Sequence, residues 1–287
     1  MSRRVAWLAM ALTCASGCDA AAQDFGLPEA SPLASPAAGW LERGVSAPFG
    51  HAGPPDRGGL RFVVESGFIS WFGVPELSTR ALAVGARWRG LALAAGISQT
   101  GDGELGWTTI AGASGLETES GGAAMRTVAR RDRALEFAFD LDAPGWGFEA
   151  GAGGWVRASR DVRAWISAPS LWSDGAAAPL ARGLEWGAEW RTAGLFAWFS
   201  HQSAPLAGEA AGASVALGAG CDLGRTECWV TGRDHPFRAG AGLALRLAQT
   251  TLRLDVEEHP QLGTTLRAAL AFGSSRSANP ERADLVP

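Results

Sequence analysis

The stretch LAVGARWRGLALAAGISQT, residues 82–100, decides which kinds of fold are open to this chain. Its residues alternate between large apolar and small or charged ones, pause at Arg89-Gly90, and then alternate again. Alternation with a period of two puts successive side chains on opposite faces of a β-strand. The stretch therefore predicts two strands, each with one apolar face. That face lies either in the core of a soluble sandwich or against lipid.

The same alternation recurs along most of the chain. It is clear at residues 82–88, 91–97, 133–142, 146–157, 184–191, 237–247, 252–257 and 266–272, with a first strand at 61–68. Weaker examples lie at 105–111, 122–130, 162–168, 194–201 and 211–219, and longer links are expected near 169–181, 202–209 and 220–235. No helical period persists beyond two turns. The pattern predicts an all-β fold of about 12–14 antiparallel strands, each of about ten residues.

The first 22 residues have the features of a secretory signal peptide. Arg3 and Arg4 give a basic start, residues 5–17 form an apolar run too short to span a bilayer, and residues 20–22 are small alanines. A lipoprotein signal is the alternative, because Ala15-Ser16-Gly17-Cys18 resembles a lipobox. Residues 23–58 are rich in Pro, Ala and Gly and predict a leader or plug segment. We expect the β-barrel at 59–273 and a polar tail at 274–287.

Composition limits where the protein can reside. Outside the signal, no apolar stretch approaches the ~20 residues that a membrane helix needs. The chain is nevertheless 47% hydrophobic, with a mean hydropathy of +0.03. A bilayer protein with such ordinary hydropathy would have to be a β-barrel. The net charge of −4 gives no basic excess, which argues against a nucleic-acid partner.

Two features favour lipid over a protein core as the surroundings of the apolar face. The opposite face is rich in Gly and Ala mixed with isolated charges, which suits a confined lumen better than a solvent surface. Tryptophans also recur near the strand ends, as a belt at a membrane interface requires. The nine predicted belt residues are Trp88, Trp107, Trp146, Trp155, Trp165, Trp172, Trp186, Trp190 and Trp229. A soluble periplasmic β-sandwich that acts as a binding module is the alternative.

With this pattern of strands, the chain resembles bacterial outer-membrane β-barrel proteins and, more loosely, the fatty-acid-transporter-like and PorV-like barrel group. The segment HPQLGTTLRAALAF, residues 259–272, looks like the closing strand of such a barrel. The resemblance covers residues 60–272. It implies a Gram-negative outer-membrane location, contact with lipid, and a porin-like transport or envelope role.

Signals for chemistry are sparse. None of the four histidines has the spacing of a metal pair, and serine-hydrolase signatures are absent, so we expect neither an enzyme nor a cofactor nor a metal. Cys221 and Cys228 are seven positions apart and are disulfide candidates in an oxidising compartment. Two unrelated buried thiols are the alternative.

The charges predicted to face the lumen have both signs. In a narrow lumen they must pair, because an isolated buried charge is costly. They could rigidify a closed interior or line a path for ions and solutes. The protein is therefore predicted to be a small-solute channel or transporter, or a structural or assembly partner of other envelope proteins. The lumen-lining candidates are Arg87, Glu136, Asp140, Glu149, Arg157, Glu185, Glu189, Arg238, Arg246, Arg253, Asp255, Glu257 and Arg267.

Overall fold

A computed structural model describes residues 61–101, 106–118, 120–132, 146–175, 184–203, 213–234 and 237–273. They form one antiparallel sheet of 14 strands that closes into a barrel, because the first strand pairs with the last. The strands are β1 Arg61–Ser70, β2 Thr79–Trp88, β3 Leu91–Gly101, β4 Gly106–Glu117, β5 Gly121–Asp132, β6 Trp146–Arg157, β7 Val162–Asp174, β8 Glu185–Thr192, β9 Leu195–Gln202, β10 Ser214–Asp222, β11 Thr226–Arg233, β12 Arg238–Leu247, β13 Thr250–His259 and β14 Gly263–Gly273. The predicted all-β barrel is confirmed, at the upper end of the predicted strand number.

The hairpin predicted from residues 82–100 is present as β2 and β3. Trp88 pairs with Leu91, which leaves Arg89 and Gly90 as a two-residue turn. Both turn residues have positive φ, 49° and 84°. This is the backbone of a type I′ turn, whose twist matches that of the strands it joins. Arg89 takes the less favourable left-handed conformation because the glycine supplies only one of the two positions.

The two ends of the barrel differ. One end carries tight turns such as 89–90, 193–194 and 248–249, and the sheet also begins and finishes there, at Arg61 and Gly273. We call it the short-turn end, and the other the long-loop end. At the long-loop end, β1 and β2 are joined by residues 71–78, which include the 3-10 helix Pro75–Leu77. The described ranges contain no helix that is long and apolar enough to cross a membrane.

The loop at residues 71–78 folds into the barrel mouth. Trp71 is buried, and its Nε1 donates a hydrogen bond of 2.8 Å to Thr79 Oγ1. Thr79 is in turn hydrogen-bonded to Thr100 on β3, with 2.7 Å between the hydroxyl oxygens. Phe72 lies with its ring edge towards His259 of β13, at 6.1 Å between the ring centroids. These contacts fix the loop against both sides of the β1 strand end.

Two predicted links are wrong in part. Residues 220–235 contain β11, Thr226–Arg233, which the pattern missed. Its large Trp229 lies on the inner face, so the usual contrast between large outer and small inner residues is weakened there. β7 runs to Asp174, into the predicted link at 169–181, and the register of its pairing with β6 shifts between Ala150 and Ala152. The signal peptide, the leader, the tail and the predicted strand at 133–142 lie outside the described residues.

Candidate functional site

The outer face of the barrel is an apolar band. Large aliphatic residues in mid-strand positions are half exposed, for example Leu82 at 48% and Leu270 at 49%. An aromatic girdle borders the band at each end. Near the short-turn end it consists of Phe62, Trp88, Trp190 and Phe272, and near the long-loop end of Phe68, Trp146, Trp172, Trp186 and Phe237.

This exterior decides which side of the sheet meets lipid. A closed sheet leaves no unpaired strand edge, and an apolar band between aromatic girdles matches the hydrocarbon layer and its two interfaces. The chain has the build of an outer-membrane β-barrel. Its location is the outer membrane, and its outer face contacts lipid. The two-sheet soluble sandwich is disfavoured, because the apolar residues point outward from a single closed sheet.

The inner face carries charges that are paired. The most buried pair joins Arg126 of β5 to Glu149 of β6, and both side chains are fully inaccessible to solvent. The guanidinium Nη2 donates to Glu149 Oε1. A buried ion pair of this kind is strongly destabilised when one partner is removed, because a lone buried charge remains.

A larger network lies near the short-turn end. Arg246 contacts Asp222 at 3.1 Å and Glu227 at 2.5 Å, so it bridges β10 and β11 from its place on β12. Arg191 of β8 contacts Glu189 at 3.0 Å and Glu227 at 3.7 Å. Three carboxylates and two guanidinium groups thus form one continuous chain along the inner wall from β8 to β12. Because each carboxylate contacts an arginine, none is an isolated charge.

A second set of ion pairs lies on the inner wall from β12 to β14. Glu257 of β13 is bound on both sides, by Arg238 at 3.1 Å and by Arg267 at 3.4 Å. Closer to the middle of the barrel, Arg253 and Asp255 of β13 form a pair at 2.7 Å. Solutes inside the barrel would therefore meet groups of both signs.

Aromatic rings cover much of the remaining inner wall, and each lies over a glycine on the adjacent strand. Trp155 lies over Gly122, Trp165 over Gly187, Trp198 over Gly218, Phe196 over Gly220 and Trp229 over Gly242. A Cβ atom at any of these glycines would overlap the ring. Gly at these positions lets the ring lie flat against the backbone.

Arginines stack on the lumen side of several of these rings. The Cζ atom of Arg163 is 3.6 Å from the centroid of Trp155, and that of Arg253 is 4.7 Å from Trp229. Arg191 lies 4.9 Å from Phe196. Cation–π contact stabilises a guanidinium on the inner wall in addition to any carboxylate that it contacts.

The predicted tryptophan belt is therefore partly wrong. Trp88, Trp146, Trp172, Trp186 and Trp190 lie in the outer girdles as expected. The other four, Trp107, Trp155, Trp165 and Trp229, alternate with outward residues and face inward. Strand-end position alone misassigned them, because a glycine on the adjacent strand (for Trp155, Trp165 and Trp229) or an arginine over the ring (for Trp107, Trp155 and Trp229) also favours an inner position.

Most described lumen candidates lie on the inner face. Glu149, Glu189 and Arg238 are buried there. Arg157 is exposed at the short-turn end of β6, the side chain of Arg87 lies outside the described part, and Glu136 and Asp140 lie outside the described residues. The half-buried inner-face candidates are Glu185, Arg246, Arg253, Asp255, Glu257 and Arg267.

The sequence pattern missed four residues of this site. Glu65 of β1 faces the lumen. It was missed because Val63, two residues earlier on the same face, is apolar, so both faces of β1 looked apolar. Arg126 lies on β5, where Met125 is the one large apolar outward residue, and Glu227 lies on the strand that was taken for a loop. Asp222 ends β10 at the same turn. Within the described ranges, no group of three or more His, Cys, Asp or Glu could hold a metal ion.

The two cysteines are register partners at the β10–β11 hairpin. Cys221 pairs with Cys228, both are half-buried, and both thiols are free in the structure. The Cα atoms of paired residues in antiparallel strands are about 4.5–5.5 Å apart, a range that permits a disulfide. The predicted disulfide stays a prediction. It would link two paired strands, not close a flexible loop.

Comparison with known proteins gives distant likenesses only. No protein-family model matches the sequence, and no curated protein matches it. Among solved structures, the Acinetobacter baumannii outer membrane protein Omp33 has 7% identity and a TM-score of 0.48, covering 74% of this chain and 96% of that one. A mutant of Rh. blastica porin has 10% identity and a TM-score of 0.39, covering 75% of this chain and 99% of that one. Likeness at this level identifies neither a family nor a solute.

Proposed function

We propose that this outer-membrane barrel is a channel for small polar solutes and ions. The observation that carries the proposal is the contrast between its two faces: an apolar exterior and an inner wall with chains of carboxylates and guanidinium groups. A barrel that served only as a membrane anchor could fill its interior with apolar side chains. Charged groups along the wall replace part of the hydration of a polar solute. The proposal includes no catalytic step.

Both signs of charge alternate along the wall, so we expect weak selectivity between cations and anions. The test is conductance of the purified protein in planar bilayers, with the reversal potential measured across a salt gradient. Discrete current steps with a reversal potential near zero are expected. If the purified, folded protein gave no current in the bilayer, the channel proposal would be wrong. A strong preference for one ion sign would contradict the even balance of charges.

A structural or assembly role in the envelope is the second candidate. It is favoured by the nearly complete burial of inner residues such as Arg126, Glu149 and Phe196, which indicates a narrow lumen. Cross-linking in cells distinguishes the two roles. A specific envelope protein captured by the barrel, together with absence of current, would favour the structural role.

A further inference from the structure

The outer girdle at the long-loop end is interrupted by polar residues on one side of the barrel. On β2–β5 the outward residues next to the strand ends are two arginines, a glutamine and a threonine. They are register partners across four adjacent strands, and Phe68 and Trp146 continue the same line on β1 and β6. We call these four residues the polar row: Arg80, Gln99, Thr108 and Arg131.

The polar row lies where the lipid headgroups meet the barrel. Phe68 and Trp146, on its two sides, belong to the aromatic girdle, and such girdles mark the interface between hydrocarbon and headgroups. Three members of the row are exposed, and Thr108 is half-buried. An arginine at this depth keeps its methylene groups over the apolar band and extends its guanidinium into the headgroup layer. The row therefore presents two positive charges to the surrounding lipid.

The outward residues near the same end of other strands have a different character. Trp172 and Trp186 lie there on β7 and β8, and Phe237 lies beside β12. On β13 the corresponding residue is Glu258, which is exposed and accepts a hydrogen bond of 2.5 Å from Thr264 Oγ1. Among the described residues, positive charge on this girdle is thus concentrated on β2–β5, while a carboxylate lies on the far side of β1 and β14.

We propose that the polar row binds the phosphate headgroup of an anionic lipid. Arginine suits this role, because its planar guanidinium can donate two parallel hydrogen bonds to one phosphate. The backbones of Arg80 and Arg131 are three strand spacings apart, about 14 Å, so their long side chains can reach a headgroup between them. The Gln99 amide and the Thr108 hydroxyl lie between the two arginines and offer further donors.

The surface next to the polar row suits the acyl chains of the same lipid. Leu82, Ile97 and Ile110 are outward register partners one step nearer the barrel middle, and they are 48%, 46% and 46% exposed. One lipid can therefore place its headgroup on the polar row and its acyl chains on these residues. In outer-membrane barrels the longer loops face the cell exterior, so this lipid lies in the outer leaflet. Binding on the outer face does not depend on whether the lumen conducts.

Native mass spectrometry of the purified barrel, released from detergent micelles, tests the proposal. The protein is titrated with phosphatidic acid or with phosphatidylcholine of identical acyl chains, and the dissociation constant of the first bound lipid is measured. Phosphatidic acid presents an uncovered anionic phosphate, whereas phosphatidylcholine has no net charge. We expect phosphatidic acid to bind about tenfold more tightly, because two arginines attract its headgroup. Equal affinity for the two lipids would overturn the proposal.

Paired substitutions locate the binding on the barrel. Arg80→Gln combined with Arg131→Gln should remove most of the preference for phosphatidic acid. Arg89→Gln combined with Arg225→Gln is the matched control, because both are exposed arginines in turns at the short-turn end. It removes the same charge and should leave the preference unchanged. An equal loss in both double variants would show general attraction to a basic protein and would overturn the proposal.

Two further measurements identify the cause of the binding and its source. Arg80→Lys combined with Arg131→Lys keeps both charges and should bind phosphatidic acid more tightly than the glutamine double variant. If it binds no more tightly, charge attraction is not the cause and the proposal is wrong. Inorganic phosphate in large excess should not displace the lipid from the unsubstituted protein, because the acyl chains contribute to binding. Displacement would indicate a site for soluble phosphate and would overturn a lipid as the occupant.

Discussion

At the scale of single residues, the pair Arg126–Glu149 is the most consequential. Both side chains are inaccessible to solvent, so neither charge can be compensated by water when the other is removed. We expect Arg126→Met to lower the free energy of unfolding by about 3–5 kcal/mol. Adding Glu149→Gln should recover much of that loss, because the isolated carboxylate disappears. The measurement is denaturant unfolding in detergent micelles, followed by tryptophan fluorescence.

Asp222 provides the control. Its side chain is 26% exposed, and Arg246, which it contacts at 3.1 Å, is 33% exposed and also contacts Glu227. Asp222→Asn should cost no more than about 1 kcal/mol, because the arginine that remains is hydrated and still paired. Equal losses for Arg126→Met and Asp222→Asn would show that the buried pair is solvated in the folded protein.

The sequence could not identify Arg126 as part of this pair. Alternation assigns a residue to a face, and β5 has only Met125 as a large outward residue near it, so the period is weak. For Glu149, Arg246 and Arg253 the alternation is strong, and the structure places all three on the inner face of the sheet. Which carboxylate meets which guanidinium depends on strand register, which the sequence pattern leaves open.

At the scale of the strands, the flat contact between inner aromatic rings and glycines on the next strand sets how closely the rings approach the wall. Gly187 of β8 lies beneath the Trp165 ring, and a Cβ there would overlap both that ring and the backbone oxygen of Phe199. We expect Gly187→Ala to destabilise the barrel by about 1–3 kcal/mol through overpacking. Denaturant unfolding in detergent micelles measures the loss of stability, and near-ultraviolet circular dichroism reports the displacement of Trp165.

Gly112→Ala is the control at this scale. The nearest atom to a Cβ there is Thr127 Oγ1 at 3.6 Å, an ordinary contact. Stability should be unchanged or slightly higher, since alanine loses less conformational freedom than glycine in a strand. If Gly187→Ala were tolerated as well as Gly112→Ala, the flat stacking of Trp165 would be wrong.

At the scale of the strands, the positions of the strands were easier to predict than the face on which each tryptophan lies. The turn at Arg89-Gly90 and the strands around it follow from alternation and turn chemistry. The inward tryptophans do not, because a tryptophan near a strand end is compatible with both a membrane interface and a glycine-lined inner wall. Only the register that brings Gly122, Gly187 and Gly242 beside them resolves the choice.

At the scale of the whole molecule, the central claim is that the apolar face of a closed 14-stranded sheet meets lipid. Strand count and closure were predictable, because strands of about ten residues with one apolar face suit a bilayer. The free width of the lumen was not predictable. It depends on how much space the inner side chains leave, and alternation carries no information on the barrel diameter.

Fractionation of expressing cells, followed by gel migration of the membrane fraction with and without boiling, tests this claim most directly. A folded membrane barrel resists unfolding in detergent at room temperature, since its backbone hydrogen bonds are all internal to the closed sheet. We predict recovery only with detergent and a band that shifts on boiling. Recovery in the soluble periplasmic fraction, with no shift, would contradict the account and would place water on the face assigned here to lipid.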